Sequence, residues 1–144
     1  MTVYQISVFL ENRTGQLAEI AKILGDSGID MRALSIAETT DYGVLRLIVD
    51  QPQKATSILL ERGFILSMTP VLVVAVQDQP GGLAPILQMI ADSSISVDYM
   101  YSLFTHIEDK AYMVFRVSEE EKFISLLAEH GISTVSGQEL GIQA

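Results

Sequence analysis

A six-residue turn signal occurs twice in this chain and constrains its fold more than any other feature. The first copy, Asn12-Arg13-Thr14-Gly15-Gln16-Leu17, lies between an alternating apolar segment and an amphipathic one. The second copy, Asp78-Gln79-Pro80-Gly81-Gly82-Leu83, follows 66 positions later. Each copy places a glycine where a strand turns into a helix, and glycine tolerates the backbone angles of a tight turn. A chain that repeats such a junction is expected to contain two copies of one fold.

The similarity between the two halves extends well beyond the turn. At an offset of 66, Gly15, Leu17, Ala18, Ile20 and Ile29 correspond to Gly81, Leu83, Ala84, Ile86 and Ile95. At an offset of 68, Lys54, Ser57, Leu59, Glu61 and Gly63 correspond to Lys122, Ser125, Leu127, Glu129 and Gly131. A repeat of this length indicates a duplicated fold. We therefore predict one domain over residues 1–69 and a second over residues 70–144, with almost no linker between them.

The hydrophobic pattern predicts the same order of elements in each half. Residues 2–10 alternate with strand period, whereas the apolar positions from Leu17 to Leu24 follow helical spacing. Two extended segments follow, then a second helix that begins near Pro52, then a closing strand. This order is that of a ferredoxin-like βαββαβ unit. We predict an α+β protein with two such units in tandem, each an antiparallel sheet with its helices on one face.

Composition removes several classes of function. The chain has no cysteine, which excludes disulfide and thiolate chemistry. Its net charge of −9 repels phosphate backbones and its Lys and Arg residues are scattered, so we expect no nucleic-acid partner. The most apolar run is too short for a bilayer, which needs about 20 residues, so we expect no membrane partner. With no leader visible at the start, we expect a cytoplasmic protein.

The size of the predicted units bears on assembly. A unit of roughly 70 residues buries only about 60% of its unfolded surface and is marginal alone. Hydrophobic residues nevertheless make up 49% of the chain. We therefore expect the halves to bury apolar surface against each other or against another chain, and we predict a homodimer.

The two turns resemble the signature turn of ACT domains. In that family an Asn or Asp, often followed by Pro-Gly and Leu, joins the first strand to the first helix. The resemblance covers the chain twice and is nearest to small stand-alone proteins made of two ACT domains. It implies a non-catalytic, regulatory protein that senses a free amino acid, with a metabolic enzyme or regulator as a further partner. The first copy departs from the pattern, because Thr14 stands where the second copy has Pro80.

The turn also has a chemical use. A helix N-terminus presents unpaired N–H groups and partial positive charge, so it can hold the carboxylate of an amino acid. Asn12 or Asp78 and nearby strand carbonyls could accept hydrogen bonds from the ammonium group. Such a dipole contact gives only about 0.3–1 kcal/mol, whereas micromolar binding needs about 8 kcal/mol. A separate pocket must therefore hold the side chain of the ligand and set specificity.

The resemblance implies that this pocket lies between two domains, where the turn of one faces the second strand of the other. Two segments, one around Ser35–Ala37 and one around Tyr99–Tyr101, could supply that strand. The second segment contains two Tyr and a Met, which suit an aromatic, imidazole or large aliphatic side chain. The candidate ligand-binding residues are Leu10, Glu11, Asn12, Arg13, Thr14, Gly15, Gln16, Leu17, Ser35, Ile36, Ala37, Asp78, Gln79, Pro80, Gly81, Gly82, Leu83, Tyr99, Met100 and Tyr101.

Other interpretations of the same residues stay open. The turns could only cap helices, in which case the chain is a structural or assembly module without a ligand. A small enzyme on the same fold is a weaker alternative, because no nucleophile elbow, phosphate loop or metal-ligand pair is present. We therefore expect no catalytic residues, no metal site and no cofactor. The sequence leaves open which amino acid binds and whether one turn or both form a site.

Overall fold

The computed structural model describes residues 2–11, 15–38 and 41–143, and their side chains except those at positions 38, 105 and 106. The elements, in chain order, are β1 (Val3–Glu11), α1 (Gln16–Asp26), β2 (Met31–Glu38), β3 (Tyr42–Val49), α2 (Pro52–Glu61), β4 (Leu66–Gln77), α3 (Ala84–Asp92), β5 (Val97–Ile107), β6 (Lys110–Val117) and α4 (Glu120–Glu129). They form two compact units. One comprises Met1–Pro70 with Gly137–Ala144, and the other comprises Val71–Ser136.

The first unit is a ferredoxin-like sheet in the strand order β2-β3-β1-β4. Both β1 and β2 pair antiparallel with β3, and Val8 and Ile36 each lie opposite Leu45. The start of β4 lies beside the end of β1, where the Phe9 N–H donates to the Ile65 carbonyl at 2.9 Å. This pairing brings the end of β1 next to the junction between α2 and β4.

The core of the first unit lies between its sheet and its two helices. Alternate residues of β1, such as Ile6 and Val8, share one buried cluster with Leu24 of α1 and Leu59 of α2. Because side chains alternate across a strand, this places both helices on one face of the sheet. Fully burying a side chain of this size contributes about 1.5–3 kcal/mol, so the helices are held mainly by this apolar face.

The second unit repeats the arrangement with the strand order β4-β6-β5. Its core contains Val74 of β4, Phe115 of β6, Ile90 of α3 and Phe123 of α4. Phe115 and Phe123 meet edge to face, with ring centroids 5.4 Å apart. The predicted closing strand is reduced here to an isolated bridge between Val74 and Thr134.

The last residues of the described chain belong to the first unit. The Arg32 Nη1 donates to the carbonyl of Leu140 at 2.6 Å, and the Gln143 N–H donates to the carbonyl of Asp50 at 2.8 Å. Leu140 and Ile142 are both buried. Residues 137–143 are thus anchored to β2 and to the residue that follows β3, a return that the sequence pattern did not indicate.

The structure confirms the predicted fold and corrects some boundaries. The first helix begins at Gln16, one residue before the amphipathic segment that starts at Leu17. The sequence pattern predicts that Pro70 separates two strands, but β4 continues through it. Proline lacks only the N–H donor, and extended backbone accommodates its ring, so the strand is not broken there.

Candidate functional site

The N-terminus of α1 begins at a glycine in a left-handed conformation. Gly15 is the N-cap residue, with φ 86°, and no side chain caps the helix there. The first helical hydrogen bond runs from the Glu19 N–H to the Gly15 carbonyl at 3.0 Å. The N–H groups of Gln16, Leu17 and Ala18 therefore have no partner within the helix. A Cβ built at Gly15 would meet no described atom within 4 Å, so no described residue fills the position of a side chain there.

A polar cleft of about 80 Å³ lies against this helix start, entirely within the first unit. It is formed where the end of β1, the first turn of α1 and the junction between α2 and β4 come together. The lining residues are Phe9, Glu11, Gln16, Glu19, Arg62, Gly63, Phe64 and Ile65. We refer to this set as the polar cleft. It contains one guanidinium and two carboxylates, so it offers both donors and acceptors to a ligand.

Gln16 holds the one buried polar side chain among these lining residues. Only 7% of the residue is exposed, and its Oε1 has no hydrogen-bond partner among the described residues. A buried acceptor without a donor costs about 1–3 kcal/mol. Such groups are uncommon in folded proteins and call for an explanation. The residue that carries this oxygen lies on the wall of the cleft.

A second cavity, of about 230 Å³, lies beside the cleft and is predominantly apolar. Its lining residues are Ser7, Phe9, Val44, Ile65, Leu66 and Ser67, all in the first unit, and we call it the apolar hollow. Phe9 and Ile65 line both the cleft and the hollow. The ring of Phe9 stacks on Tyr42 with centroids 4.8 Å apart, which fixes one side of the shared wall.

The second turn differs from the first because its own backbone fills it. A Cβ built at Gly82 would fall onto the carbonyl oxygen of Gln77. The Gln79 N–H donates to that carbonyl at 2.9 Å, and the Gly82 N–H donates to the Gln79 carbonyl at 2.9 Å. The missing side chain of Gly82 therefore makes room for the chain itself, whereas a Cβ built at Gly81 would meet no described atom within 4 Å.

Several backbone donors of the second turn are absent or already bonded. Pro80 and Pro85 carry no backbone N–H, and Pro85 stands in the first turn of α3. The Asp78 N–H donates to the Asp109 carbonyl at 2.7 Å. Most of the groups that could have held an anion at this turn are thus absent or already bonded.

The structure brings some of the predicted site residues together and separates others. Glu11 and Gln16 line the cleft, with Gly15 at its helix start, whereas Leu10 is buried in the core. Leu17 is largely exposed. Asn12, Arg13 and Thr14, which were also predicted to bind ligand, lie outside the described residues.

The predicted second-strand residues belong to neither cavity. Ser35 lies opposite Arg46, and Ala37 lies opposite Val44, while Ile36 is exposed. In the second unit, Tyr99 and Tyr101 stack on one another with centroids 6.4 Å apart, and Met100 packs against the core. The exposed Gln79, Pro80 and Gly81 and the partly buried Leu83 complete the predicted set.

Sequence reasoning missed the part of the cleft that follows α2. Arg62, Gly63, Phe64 and Ile65 reach the site because β4 pairs with β1. The βαββαβ order contains this information, since it places the fourth strand beside the first. Glu19, one turn into α1, could have been found from helical spacing alone.

Metal-binding clusters and membrane-spanning helices are both absent from the part of the chain that the structure describes. Nowhere in the described ranges do three or more His, Asp or Glu side chains cluster in a way that could hold a metal ion. Within those same ranges, no helix combines the length and the apolar character needed to cross a bilayer.

Comparison with known proteins places the chain in a family. The family model for the ACT domain pair matches residues 1–143. A protein of known structure from Bacteroides thetaiotaomicron is 34% identical, with 98% of this chain and 96% of that one covered and a TM-score of 0.88. No curated protein matches the chain.

More distant structures share the fold. The regulatory subunit of aspartate kinase from Thermus thermophilus is 15% identical, covers 88% of this chain and 91% of its own, and has a TM-score of 0.63. The corresponding subunit from Thermus flavus is 16% identical, with 91% and 92% covered and a TM-score of 0.58. The match to the family model and the 34% identity to the Bacteroides protein both span nearly the whole chain. The chain therefore belongs to the ACT domain pair family.

Proposed function

We propose that this protein is a non-catalytic regulator that binds a free amino acid in the polar cleft of its first unit. Binding favours one of two arrangements of the protein and so changes its interaction with a metabolic enzyme or regulator. Two features support the proposal: membership of the ACT domain pair family, and a cleft whose groups match both ends of an amino acid. The Thermus proteins named as regulatory subunits of aspartate kinase support a regulatory role.

The observation that carries the proposal is the buried oxygen of Gln16. Oε1 is buried and accepts no hydrogen bond from the described residues, and the residue that carries it lines the cleft. An ammonium group has three donors and would satisfy this oxygen. The Glu19 carboxylate on the same wall adds a charge-assisted bond, which is stronger than a neutral one.

The carboxylate of the ligand is held by hydrogen-bond donors and positive charge. The first N–H groups of α1 have no partner within the helix, and the helix dipole favours negative charge at that end. The Arg62 guanidinium lines the same cleft and matches a carboxylate in geometry. Together these contacts orient the invariant end of any amino acid.

The second turn has a supporting role in this proposal. The carbonyl of Gln77 fills the space beside Gly82. Several backbone N–H groups of this turn already donate hydrogen bonds within the protein, and a proline in the first turn of α3 has no N–H to donate. Few groups there are left to hold an anion. One ligand per chain is therefore the expected stoichiometry. The Gly81 and Gly82 pair shapes the turn rather than contacting a ligand.

The proposal is tested by titrating the full-length protein with each common amino acid, using calorimetry and thermal shift. A ligand present at 100 times its Kd stabilises the native state by about 2.7 kcal/mol. The expected result is a shift with at least one amino acid and a stoichiometry of one. If no amino acid at millimolar concentration shifts the unfolding temperature, the assembly module is the better interpretation.

A matched pair of variants separates the cleft from general stability. Gln16→Leu and Thr56→Val each remove a buried oxygen that lacks a partner among the described residues, so neither should destabilise the free protein. Only Gln16→Leu should abolish ligand binding, because Thr56 lines neither cavity. Wild-type affinity in Gln16→Leu would place the ligand elsewhere.

A further inference from the structure

We infer that the apolar hollow is the specificity pocket of the cleft, and that the ligand is an α-amino acid with an uncharged aliphatic side chain. This inference rests on the proposed function, since the hollow selects a side chain only if the cleft holds the head group. It assigns specificity to residues of β1, β3 and β4 in the first unit. It therefore departs from the sequence-based expectation, which gave that role to the second strand and to Tyr99 and Tyr101.

The two cavities are neighbours on one unit. Phe9 and Ile65 line both of them, and the Phe9 N–H donates to the Ile65 carbonyl, so these two residues sit side by side. A head group bound to Gln16 and Arg62 has the hollow on the other side of this pair. The side chain of the ligand can pass over Phe9 and Ile65 without leaving the first unit.

The hollow has the size of a side chain rather than of a water molecule. Its volume is about 230 Å³, against about 80 Å³ for the cleft. An enclosed apolar cavity of about 150 Å³ binds benzene, so the four carbons of leucine or the three carbons and sulfur of methionine fit in the partly open hollow. The cleft alone has no room for such a group. Size therefore assigns the head group to the cleft and the side chain to the hollow.

The lining of the hollow decides which side chains it accepts. Val44 and Leu66 present only carbon atoms, and the ring of Phe9 is fixed by its stacking on Tyr42. The Ser7 hydroxyl already accepts a hydrogen bond from the Gln5 Nε2 at 2.9 Å. None of the described residues that line the hollow is charged, so a charged ligand side chain would lose water there without gaining an ion-pair partner in the lining itself. Aliphatic chains incur no such penalty.

The test is a series of ligands measured by calorimetry on the full-length protein. Glycine, alanine, valine, leucine, isoleucine and methionine extend the side chain stepwise, while aspartate and lysine add charge. Each fully buried methylene contributes about fourfold in affinity. Because the hollow is partly open, we expect leucine, isoleucine or methionine to bind about tenfold more tightly than alanine, and aspartate and lysine to bind more weakly than alanine.

Two variants block the hollow while leaving the cleft intact. Ser67→Phe places a ring in it from an exposed position, and Val44→Phe does so from the neighbouring wall. Each should remove the preference for leucine over alanine. Ser57→Phe is the control, since Ser57 is also an exposed serine of the first unit and lines neither cavity. It should keep the wild-type preference.

The outcomes distinguish this inference from the proposed function. If no amino acid binds, the proposed function fails and the inference fails with it. If amino acids bind with affinities that do not depend on side-chain length, the cleft is a site but the hollow is not its pocket. The hollow is excluded in the same way if both Phe variants keep the leucine preference. A preference that both variants abolish, and that Ser57→Phe keeps, supports the hollow.

Discussion

The carbonyl oxygen of Gln77 occupies the position at which a side chain at Gly82 would begin. In the first turn the corresponding position belongs to Gln16, whose side chain instead lines the cleft. One residue therefore separates a turn that closes on itself from a turn that opens onto a cavity. The two copies of the junction therefore differ in chemistry at this position.

This contact predicts that Gly82→Ala is strongly destabilising. The new Cβ collides with backbone, which cannot move aside as a flexible side chain can, so we expect a loss of about 3 kcal/mol in the free energy of unfolding. Gly25→Ala is the control, since Gly25 lies inside α1 with open space around it. It should gain about 0.5–1 kcal/mol from helix propensity. Urea unfolding of both variants measures the difference, and equal stabilities would contradict the contact.

The first turn predicts a different response at Gly15. In Gly15→Phe, the new Cβ has no described atom within 4 Å, but the residue must adopt φ 86°. This left-handed conformation costs a residue with a side chain about 1–2 kcal/mol. The protein should stay folded and lose amino-acid binding, because the ring covers the N–H groups of α1. Gly131→Phe carries the same strain, at φ 72° with open space, in the second unit. It should lose similar stability and still bind, and binding by Gly15→Phe at full strength would exclude the first turn.

The C-terminal segment predicts a stability effect at a distance in sequence. Removing residues 138–144 deletes the hydrogen bonds to Arg32 and Asp50 and the burial of Leu140 and Ile142. We expect the free energy of unfolding to fall by about 3–5 kcal/mol. Arg32→Met should cost less, about 1–3 kcal/mol, because it removes the hydrogen bond to Leu140 and the ion pair with Asp30 but keeps the apolar contacts. An unchanged urea midpoint after the deletion would show that the segment contributes nothing.

The exposed edge strand of the second unit predicts how the protein assembles. The edge strand β5 carries Phe104, 56% exposed, and the neighbouring apolar Ile107, and such edges favour association. We expect a homodimer by light scattering, and Phe104→Asp should shift it toward monomer. Leu60→Asp, at a residue that is 53% exposed on α2, should leave the mass unchanged. A protein that stays monomeric throughout a concentration series would refute the homodimer.

The fold was predictable because its signals are local and repeated. Alternation in β1 and helical spacing after Gly15 determined the elements, and the offset between Gly15 and Gly81 identified the duplication. The site was less predictable, because it depends on distant segments. The sequence identified Gln16 as part of the turn but did not indicate that its side chain is buried. Arg62 lies in the same cleft only because β4 pairs with β1.

The residues of the apolar hollow could not be identified from the sequence, because they also come from segments that are distant along the chain. Tyr99 and Tyr101 stand out by their aromatic character, yet they stack on one another in the second unit. Val44 and Ser67 have no distinctive character in sequence, and only the packing of their strands makes them walls of a cavity. The residue types in a sequence indicate the chemistry of a site. The position of a cavity depends instead on how the strands pack, which those residue types do not show.

The return of residues 137–143 to the first unit has a consequence for biosynthesis. The 66 residues of Val71–Ser136 must be translated before the pieces of the first unit can meet, which at 5–20 residues per second takes roughly 3–13 s. Small domains with mixed helices and strands commonly fold faster than that. Completion of the first unit is therefore limited by the ribosome, and during this interval the nascent chain exposes the surface that Leu140 and Ile142 later cover.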